Sequence, residues 1–457
     1  MHIPFTTYLW MSRLARMTSS PARRSHDREI LALAVPAFGA LVAEPLFLMA
    51  DSAIVGHLGT AQLAGLGIAS AVLTTVIGAF VFLAYATTAA VARRIGAGDR
   101  RAAVQQGVDG IWLALLLSAG LVVLSLALAP QAADLLGASP TAAPYAVTYL
   151  RISALGIPAM LVVLAATGVL RGLQDTRTPL LVAVAGFAAN AALNLGLVYG
   201  AGLGVAGSAW GTVLAQNAMA AGYLVVVVRG ARREGAGLRP DPAGIRSCAR
   251  AGGPLLVRTL SLRAVLLIAT AVAATLGDAE IAAHQITMTI WVFVAFALDA
   301  IAIAGQAIIG RHLGAGDVQG TRAATRRMVE WGIGAGVLLG LLIVLARPLY
   351  VPLFTADPAV QTQLSTALLL AALTQPVGGL VFVLDGVLMG AGDGGYLAAA
   401  MLGTLVVFAP AALAVPGLGG GLTALWWAMN LFMLTRAAFL VFRVRSGHWL
   451  VTGAVRA

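Results

Sequence analysis

Long unbroken runs of apolar residues, each closed by arginine, glycine or proline, fill most of this chain, and polar positions gather between them. The runs lie at 30–56, 62–91, 103–129, 143–170, 179–199 and 205–229, then at 254–276, 280–309, 323–345, 361–388, 396–416 and 421–443. Each is about 20 residues or longer, enough helix to cross about 30 Å of hydrocarbon. None alternates polar with apolar residues in the two-residue rhythm of a membrane β-strand. The pattern predicts an all-α integral membrane protein with about twelve transmembrane helices.

The same pattern is written twice. Pro36 returns 218 residues later as Pro254, Leu58-Gly59 as Leu276-Gly277, and Gly96-Ala97-Gly98-Asp99 as Gly314-Ala315-Gly316-Asp317. Pro130, Pro140 and Pro158 return as Pro348, Pro358 and Pro376, and Gly168-Val169-Leu170 with Gly172 and Asp175 as Gly386-Val387-Leu388 with Gly390 and Asp393. One offset serves every pair, which shared composition alone does not produce, so the chain holds two related halves. Six spans per half is an even number, so the two six-helix repeats run parallel, with a cleft between them suited to alternating access.

Composition sharpens the class. With 60% hydrophobic and 10% charged residues, the chain is far too apolar for a soluble domain, in which about a quarter of residues are charged. The formal net charge of +11 comes from arginine alone, since there is no lysine. Arg13, Arg16, Arg23, Arg24 and Arg28 precede the first span, Arg93, Arg94, Arg100 and Arg101 follow the second, and Arg229, Arg232, Arg233, Arg239, Arg246 and Arg250 follow the sixth. All of these fall on one side, while the opposite turns at 200–204 and 417–421 carry no cation, so both termini are expected in the cytoplasm of a multi-pass inner-membrane protein. Topogenesis and contact with anionic lipid headgroups account for the charge without a nucleic acid.

The expected organisation is a cytoplasmic tail at 1–28, a first lobe at 29–229, a cytoplasmic linker at 230–252 that lets the lobes move, a second lobe at 253–445 and a cytoplasmic tail at 446–457. Residues 1–28 have no apolar core long enough for a cleavable signal and are expected to be disordered, and Met17 is an alternative start. Cys248, the lone cysteine, permits no internal disulfide and reads as inert. Six histidines without ligand spacing give no metal site and no cofactor.

Elements present in both halves can be explained by folding, whereas an ionisable residue in mid-span is costly and is retained for a reason. The departures from symmetry are therefore the candidate site. In the first half, Asp51 answers Ala269, Asn190 answers Phe408, and Asn194 answers Ala412. Asn190 and Asn194 share one face of the fifth span, Thr212 stands on the sixth, and Asp51 and Glu44 share one face of the first. Together they can form a polar pocket in which a desolvated carboxylate exchanges a proton near neutral pH or, with amide oxygens, holds a sodium ion. Interhelical hydrogen bonding alone would also account for Asn190, Asn194 and Thr212. In the second half, Asp385 answers Thr167, Asp299 answers Val81 and Arg258 answers Ala40; with Arg263 they can form buried pairs or a network.

Other features read as architecture. The two GAGD turns need glycine for positive φ and aspartate as a cap, and no phosphate loop is present. Pro158 and Pro376 fall inside paired spans and, with Pro36 in the first, are candidate hinges. His284 reads as a packed polar contact.

Two parallel six-span halves, the stretch DSAIVGHLG at 51–59, the twins GVLRGLQD and GVLMGAGD, and LDAIAIAGQAIIGRHLGAGD at 298–317 together resemble the MATE (multidrug and toxic compound extrusion) family, closest to its DinF-like branch. The likeness covers about residues 29–445. It implies an inner-membrane antiporter, not an enzyme, that expels amphipathic, often cationic or aromatic compounds in exchange for protons or sodium ions. The family's first-lobe cation site falls on Asp51, Asn190, Asn194 and Thr212, and the acidic position that some relatives use in the second lobe falls on Asp385. Members commonly carry aspartate where this chain has Asn194, which removes one negative charge and leaves Asp51 as the principal titrating group.

The reading is thus a monomeric, proton-driven exporter of an amphipathic small molecule, held by apolar walls and by aromatics such as Trp291 or Phe293. A flippase for lipid-linked precursors would want a cationic cleft, for which Arg258 and Arg263 are the candidates. An integral-membrane lipid-modifying enzyme would need a clustered catalytic constellation, and a channel would suit a two-lobed repeat less well.

Overall fold

The computed structural model describes residues 21–455, and among them every regular element is a helix. The first half comprises α1 (Pro21–Gly56), α2 (Thr60–Ala79), α3 (Phe82–Gly96), α4 (Arg100–Leu135), α5 (Ala143–Ala154), α6 (Ile157–Gly172), α7 (Arg177–Leu195), a π-helical turn (Gly196–Gly200) and α8 (Gly204–Glu234). The second comprises α9 (Pro242–Leu276), α10 (Asp278–Gly314), α11 (Val318–Phe354), α12 (Pro358–Leu373), α13 (Gln375–Gly390), α14 (Gly394–Leu413), the short α15 (Val415–Leu418) and α16 (Gly421–Ser446). Ten helical stretches are long and apolar enough to cross a membrane, and the pairs α5–α6 and α12–α13, bent by 53° and 50°, bring the spans to twelve.

The two bends are where the paired prolines fall. Pro158 and Pro376 occupy the first turn of α6 and α13, where a missing N–H is harmless but the preceding helix cannot continue straight. Each span expected as one piece at 143–170 and 361–388 is therefore two helices. Pro36 behaves differently: α1 runs through it and through Pro45 without a break. Along α11, Leu338, Leu341, Leu342, Leu345, Leu349 and Leu353 are all exposed, a stripe that only lipid can solvate. The aromatic heart of the second half is the buried set Trp426, Phe408 and Phe432.

The connection between the halves is shorter than the sequence suggested. Helix α8 ends on Gly235 in the left-handed conformation (φ 66°), and Asp241 caps α9 by accepting the N–H groups of Ala243 and Gly244 at 3.0 and 3.2 Å. Strong caps on both sides leave only 235–241 outside helix rather than 230–252. Trp112 Nε1 anchors this segment by donating to the Leu238 carbonyl at 3.0 Å. Cys248 consequently lies in α9, buried, and receives a hydrogen bond from Gln106 Nε2 at 2.6 Å.

The expected tails are also partly built in. Residues 21–28 belong to α1, and Asp27 there accepts from Arg327 Nε at 2.6 Å and Trp331 Nε1 at 2.8 Å. Residues 1–20, which bear on the remaining tail and the alternative start, lie outside the described residues. At the other end Trp449 is buried and the Gly453 N–H donates to the Leu313 carbonyl at 3.0 Å.

These contacts share the face of the molecule that carries the chain ends, the terminal face. Side-chain hydrogen bonds joining the halves gather here. Arg93 donates to the carbonyls of Ala391, Val451 and Gly453 at 2.8, 2.8 and 2.9 Å. Its repeat equivalent, Arg311, reaches the other way, to Gln174 Oε1 at 2.7 Å and Glu29 at 2.6 Å. Both GAGD turns lie at this face, with Gly98 and Gly316 at φ 82° and 75°, and Asp99 and Asp317 capping the helices that follow. The Gly320 N–H holds the Asp317 carboxyl below its usual range.

Candidate functional site

Small residues let α8 lie close against the end of α7. A Cβ at Gly207 would meet the backbone at Leu197 and Val198, and one at Gly211 would overlap the Asn194 amide. This approach brings Ser208 and Thr212, one turn apart on α8, against Asn190 and Asn194, one turn apart on α7. Asp51, on the last third of α1, is 3% exposed and completes the set.

Asp51 Oδ1 accepts from Ser208 Oγ at 2.6 Å and from Asn194 Nδ2 at 2.7 Å, and Oδ2 accepts from Tyr149 Oη on α5 at 3.3 Å. Asn194 Nδ2 spends its second hydrogen on Asn190 Oδ1 at 3.0 Å, and Asn190 Nδ2 donates to Thr212 Oγ1 at 3.0 Å. The four residues singled out in the sequence thus form one chain, Asp51–Asn194–Asn190–Thr212, with Thr212 at the far end. Among the described residues no arginine stands within ion-pair distance of Asp51. Three hydrogen bonds to a charged acceptor, at about 1.5–3 kcal/mol each, are of the same size as the several kcal/mol lost on burying a carboxylate. The charged form is therefore tolerated without being locked in. The side chain of Glu44 lies outside the described residues.

The second half holds a different centre. Asp385 on α13, 3% exposed, sits between two arginines: Arg258 on α9 donates through Nε at 3.2 Å and makes a second, shorter contact through Nη2, and Arg436 on α16 donates through Nη2 at 2.7 Å. Arg436 also lies 5.8 Å from the centre of the Phe382 ring. Gly386 allows this arrangement, since a Cβ there would run into the Ala302 backbone of α10. Asp299, one turn before Ala302, makes no direct bond to Arg258, so the pairing weighed in the sequence is replaced by Arg258 with Asp385. Asp299 instead interacts at longer range with Arg171 of the first half and with Arg258, Asp385 and Arg436. The Arg263 guanidinium, half-buried, lies where a Cβ on Gly78 of α2 would collide with it.

Sequence reasoning missed Tyr149, Ser208 and Arg436, although the rule that found the others applies to them. Their equivalents 218 residues away are Ala367, Trp426 and Ala218. Trp291 is buried, whereas Phe293 is 51% exposed. His284 is wholly buried and packs on Trp426 with ring centres 5.9 Å apart, its two nitrogens making no hydrogen bond, so it is a packing contact without the polar partner expected of it.

Two six-span repeats in one chain, each with its own buried polar centre, are the architecture of a two-lobed membrane transporter. The MatE family profile matches residues 36–195 and 254–413, two stretches in the register of the internal repeat, and the chain belongs to that family of membrane transporters. It is 31% identical to Protein DETOXIFICATION 44, chloroplastic, of Arabidopsis thaliana over 92% of this chain and 83% of that protein. It is 29% identical to DNA damage-inducible protein F of Escherichia coli over 98% of each chain. The fold is shared with the Vibrio cholerae MATE transporter VcmN in its bent form, at 20% identity and a TM-score of 0.85, covering 94% of this chain and all of that one (100%).

Proposed function

We propose that this transporter exports amphipathic small molecules in exchange for protons, with Asp51 as the coupling group. The observation that carries the reading is the neutrality of the described groups that bond to Asp51: an amide, a hydroxyl and a phenol. A carboxylate held by dipoles alone changes the charge of its surroundings by a full unit when it takes a proton. Protonation also weakens the charged acceptor on which α5, α7 and α8 converge, which frees α1 to repack at Pro36 and Pro45. Neutralisation at one centre thereby becomes movement of a helix that also reaches the other half through Asp27 and Glu29.

The charge of the site supports protons over sodium: Asn194 is neutral and donates to Asp51 through its amide nitrogen, so one carboxylate is the whole negative charge among the described residues of the cluster, and a hard cation is held by several charged or carbonyl oxygens. The excess of arginine at the terminal face supports its being cytoplasmic. Names such as DETOXIFICATION 44 support export of unwanted compounds as the role.

The test is flux from proteoliposomes of the full chain under a pH gradient or a sodium gradient. Proton-driven flux abolished in Asp51→Asn, with no flux under sodium alone, is the expected result. Sodium-driven flux, or an Asp51→Asn protein that still couples to the pH gradient, would overturn the reading.

A further inference from the structure

At the terminal face, an open cavity of about 600 Å³ lies between α1 and α7, with Asp27, Arg28, Leu31, Val35 and Arg177 in its walls. The two helices draw together one turn further on, where a Cβ on Gly39 of α1 would come within 3.0 Å of the Leu180 side chain of α7. Arg28, Leu31 and Val35 follow one another along one face of α1, and Arg177, Leu181 and Val184 along one face of α7. All six are exposed, Val35 at 61% and Leu181 at 68%. Each helix therefore presents a guanidinium where its apolar run begins and bare aliphatic surface beyond it. The acids nearby are already engaged. Asp27 accepts from Arg327 and Trp331, Glu29 from Arg311, and Asp175 from the N–H groups of Arg177 and Thr178. Among the described residues, neither the Arg28 nor the Arg177 guanidinium has a hydrogen-bond or ion-pair partner.

We propose that this crevice seats an anionic phospholipid, its phosphate held between Arg28 and Arg177 and its acyl chains lying along Leu31, Val35, Leu181 and Val184. The order of groups on both helices, cation first and aliphatic surface beyond, is the order of groups in a lipid of the adjoining leaflet. Exposed aliphatic surface on a membrane-spanning helix is solvated by acyl chains, so a bilayer lipid satisfies both parts of the seat where a soluble anion satisfies one. Arginine forks match phosphate oxygens in shape and charge. Two of them call for a headgroup of net negative charge, since the ammonium of a zwitterionic headgroup would enter a field of its own sign with Asp27 already taken. The segment 1–20 is itself basic, carrying Arg13 and Arg16, and is no complement to two arginines. Asp51 lies about 35 Å further along α1, so the seat is separate from the coupling centre and does not depend on the transport reading.

The test titrates the purified full chain in detergent with short-chain phosphatidylglycerol, short-chain phosphatidylcholine and inorganic phosphate, reading affinity by calorimetry and location by hydrogen exchange. Phosphatidylglycerol should bind at least about tenfold more tightly than phosphatidylcholine and should slow exchange in the first turns of α1 and α7. Arg28→Gln combined with Arg177→Gln should weaken phosphatidylglycerol by about tenfold or more and bring it level with phosphatidylcholine. Arg322→Gln, which removes an exposed arginine of α11 at the same face, should change little. Both seat arginines are exposed, so the double glutamine variant should keep the wild-type unfolding midpoint in the absence of lipid, and the double lysine variant should keep the preference for phosphatidylglycerol. Equal affinity for the two lipids, binding indifferent to the double glutamine variant, an equal loss in Arg322→Gln, or exchange slowed only elsewhere would each overturn the inference. Inorganic phosphate binding as tightly as phosphatidylglycerol would also overturn it, by showing a free-anion site to which the aliphatic surface contributes nothing.

Discussion

Gly96 and Gly314 hold the same position in the two repeats and meet across the lobe boundary: a Cβ on Gly96 would collide with the Arg311 carbonyl, and one on Gly314 with the Arg93 carbonyl. Arg93 and Arg311 are themselves repeat equivalents. The last turns of α3 and α10 therefore cross through a contact that only glycine permits, and an arginine beside each glycine ties the crossing to the opposite half. The terminal face is closed by a pseudo-symmetric pair of these devices.

Gly314→Val should hold this face apart. The obstacle is backbone, which cannot rotate aside as a side chain would, and forced overpacking costs about 1–3 kcal/mol. That is enough to shift the balance between closed and open terminal faces by about tenfold to a hundredfold. The expected outcome is a folded protein with transport reduced about tenfold, and faster alkylation of Cys248, which lies buried on α9 beside this face. Unchanged alkylation and unchanged flux would show that the crossing is not a gate.

The Asp385 centre predicts an asymmetry between its own removal and that of its partner. Arg436→Gln leaves Arg258 and Asp385 as a neutral pair, whereas Asp385→Asn leaves two buried guanidiniums facing one another. Breaking a buried pair by deleting one partner costs about 3–5 kcal/mol, and the charge count assigns that loss to Asp385→Asn and a smaller one to Arg436→Gln. Thermal unfolding in detergent should place the Asp385→Asn midpoint clearly below that of Arg436→Gln. The opposite order would mean that Arg258 does not carry its charge as the geometry implies.

Much of this was legible in the sequence because the bilayer writes its constraints in long apolar runs and the duplication writes each constraint twice. Asp51, Asn190, Asn194 and Asp385 stood out as charges or amides whose equivalents are apolar or hydroxyl-bearing. Arg436 did not, although its equivalent is Ala218, because an arginine in the last third of a span reads first as a flank for the membrane surface. The bends at Pro158 and Pro376 were visible as prolines, but the continuity of α1 through Pro36 depends on neighbouring helices that local sequence does not reveal. The linker was overestimated because Gly, Pro and Arg composition hid two helix ends with good caps.

The C-terminal segment should act as part of the closure and not as a free tail. Trp449 is buried, and Arg93 spends two of its hydrogen bonds on Val451 and Gly453. Truncation after Ser446 and Arg93→Ala remove overlapping contacts, so each alone should raise hydrogen exchange around Leu313 several-fold. The double variant should add little, because both act through one unit. Additive effects would separate the tail from the arginine.

Gln174 offers the sharpest test of how strain is used. Among the described residues it is the one non-glycine at positive φ, 65°, and its repeat equivalent is Gly392 at 70°. A left-handed non-glycine residue costs about 1–2 kcal/mol, and the second repeat avoids that cost with glycine. In the first repeat the side chain is kept and accepts from Arg311 at 2.7 Å, a charge-assisted bond worth about 1.5–3 kcal/mol. That bond crosses between the halves and exists only while the terminal face is closed, whereas the strain is present in every conformation. Gln174→Gly should therefore leave or slightly lower the thermal midpoint, the relieved strain offsetting most of the lost bond, while weakening closure, seen as higher hydrogen exchange at α3 and α10 near this face. Gln174→Ala keeps the strain and loses the bond, and should be the less stable of the two by about 1 kcal/mol. If the two variants matched in stability, the left-handed turn would carry no strain, and the glutamine would be held there at no cost to the fold.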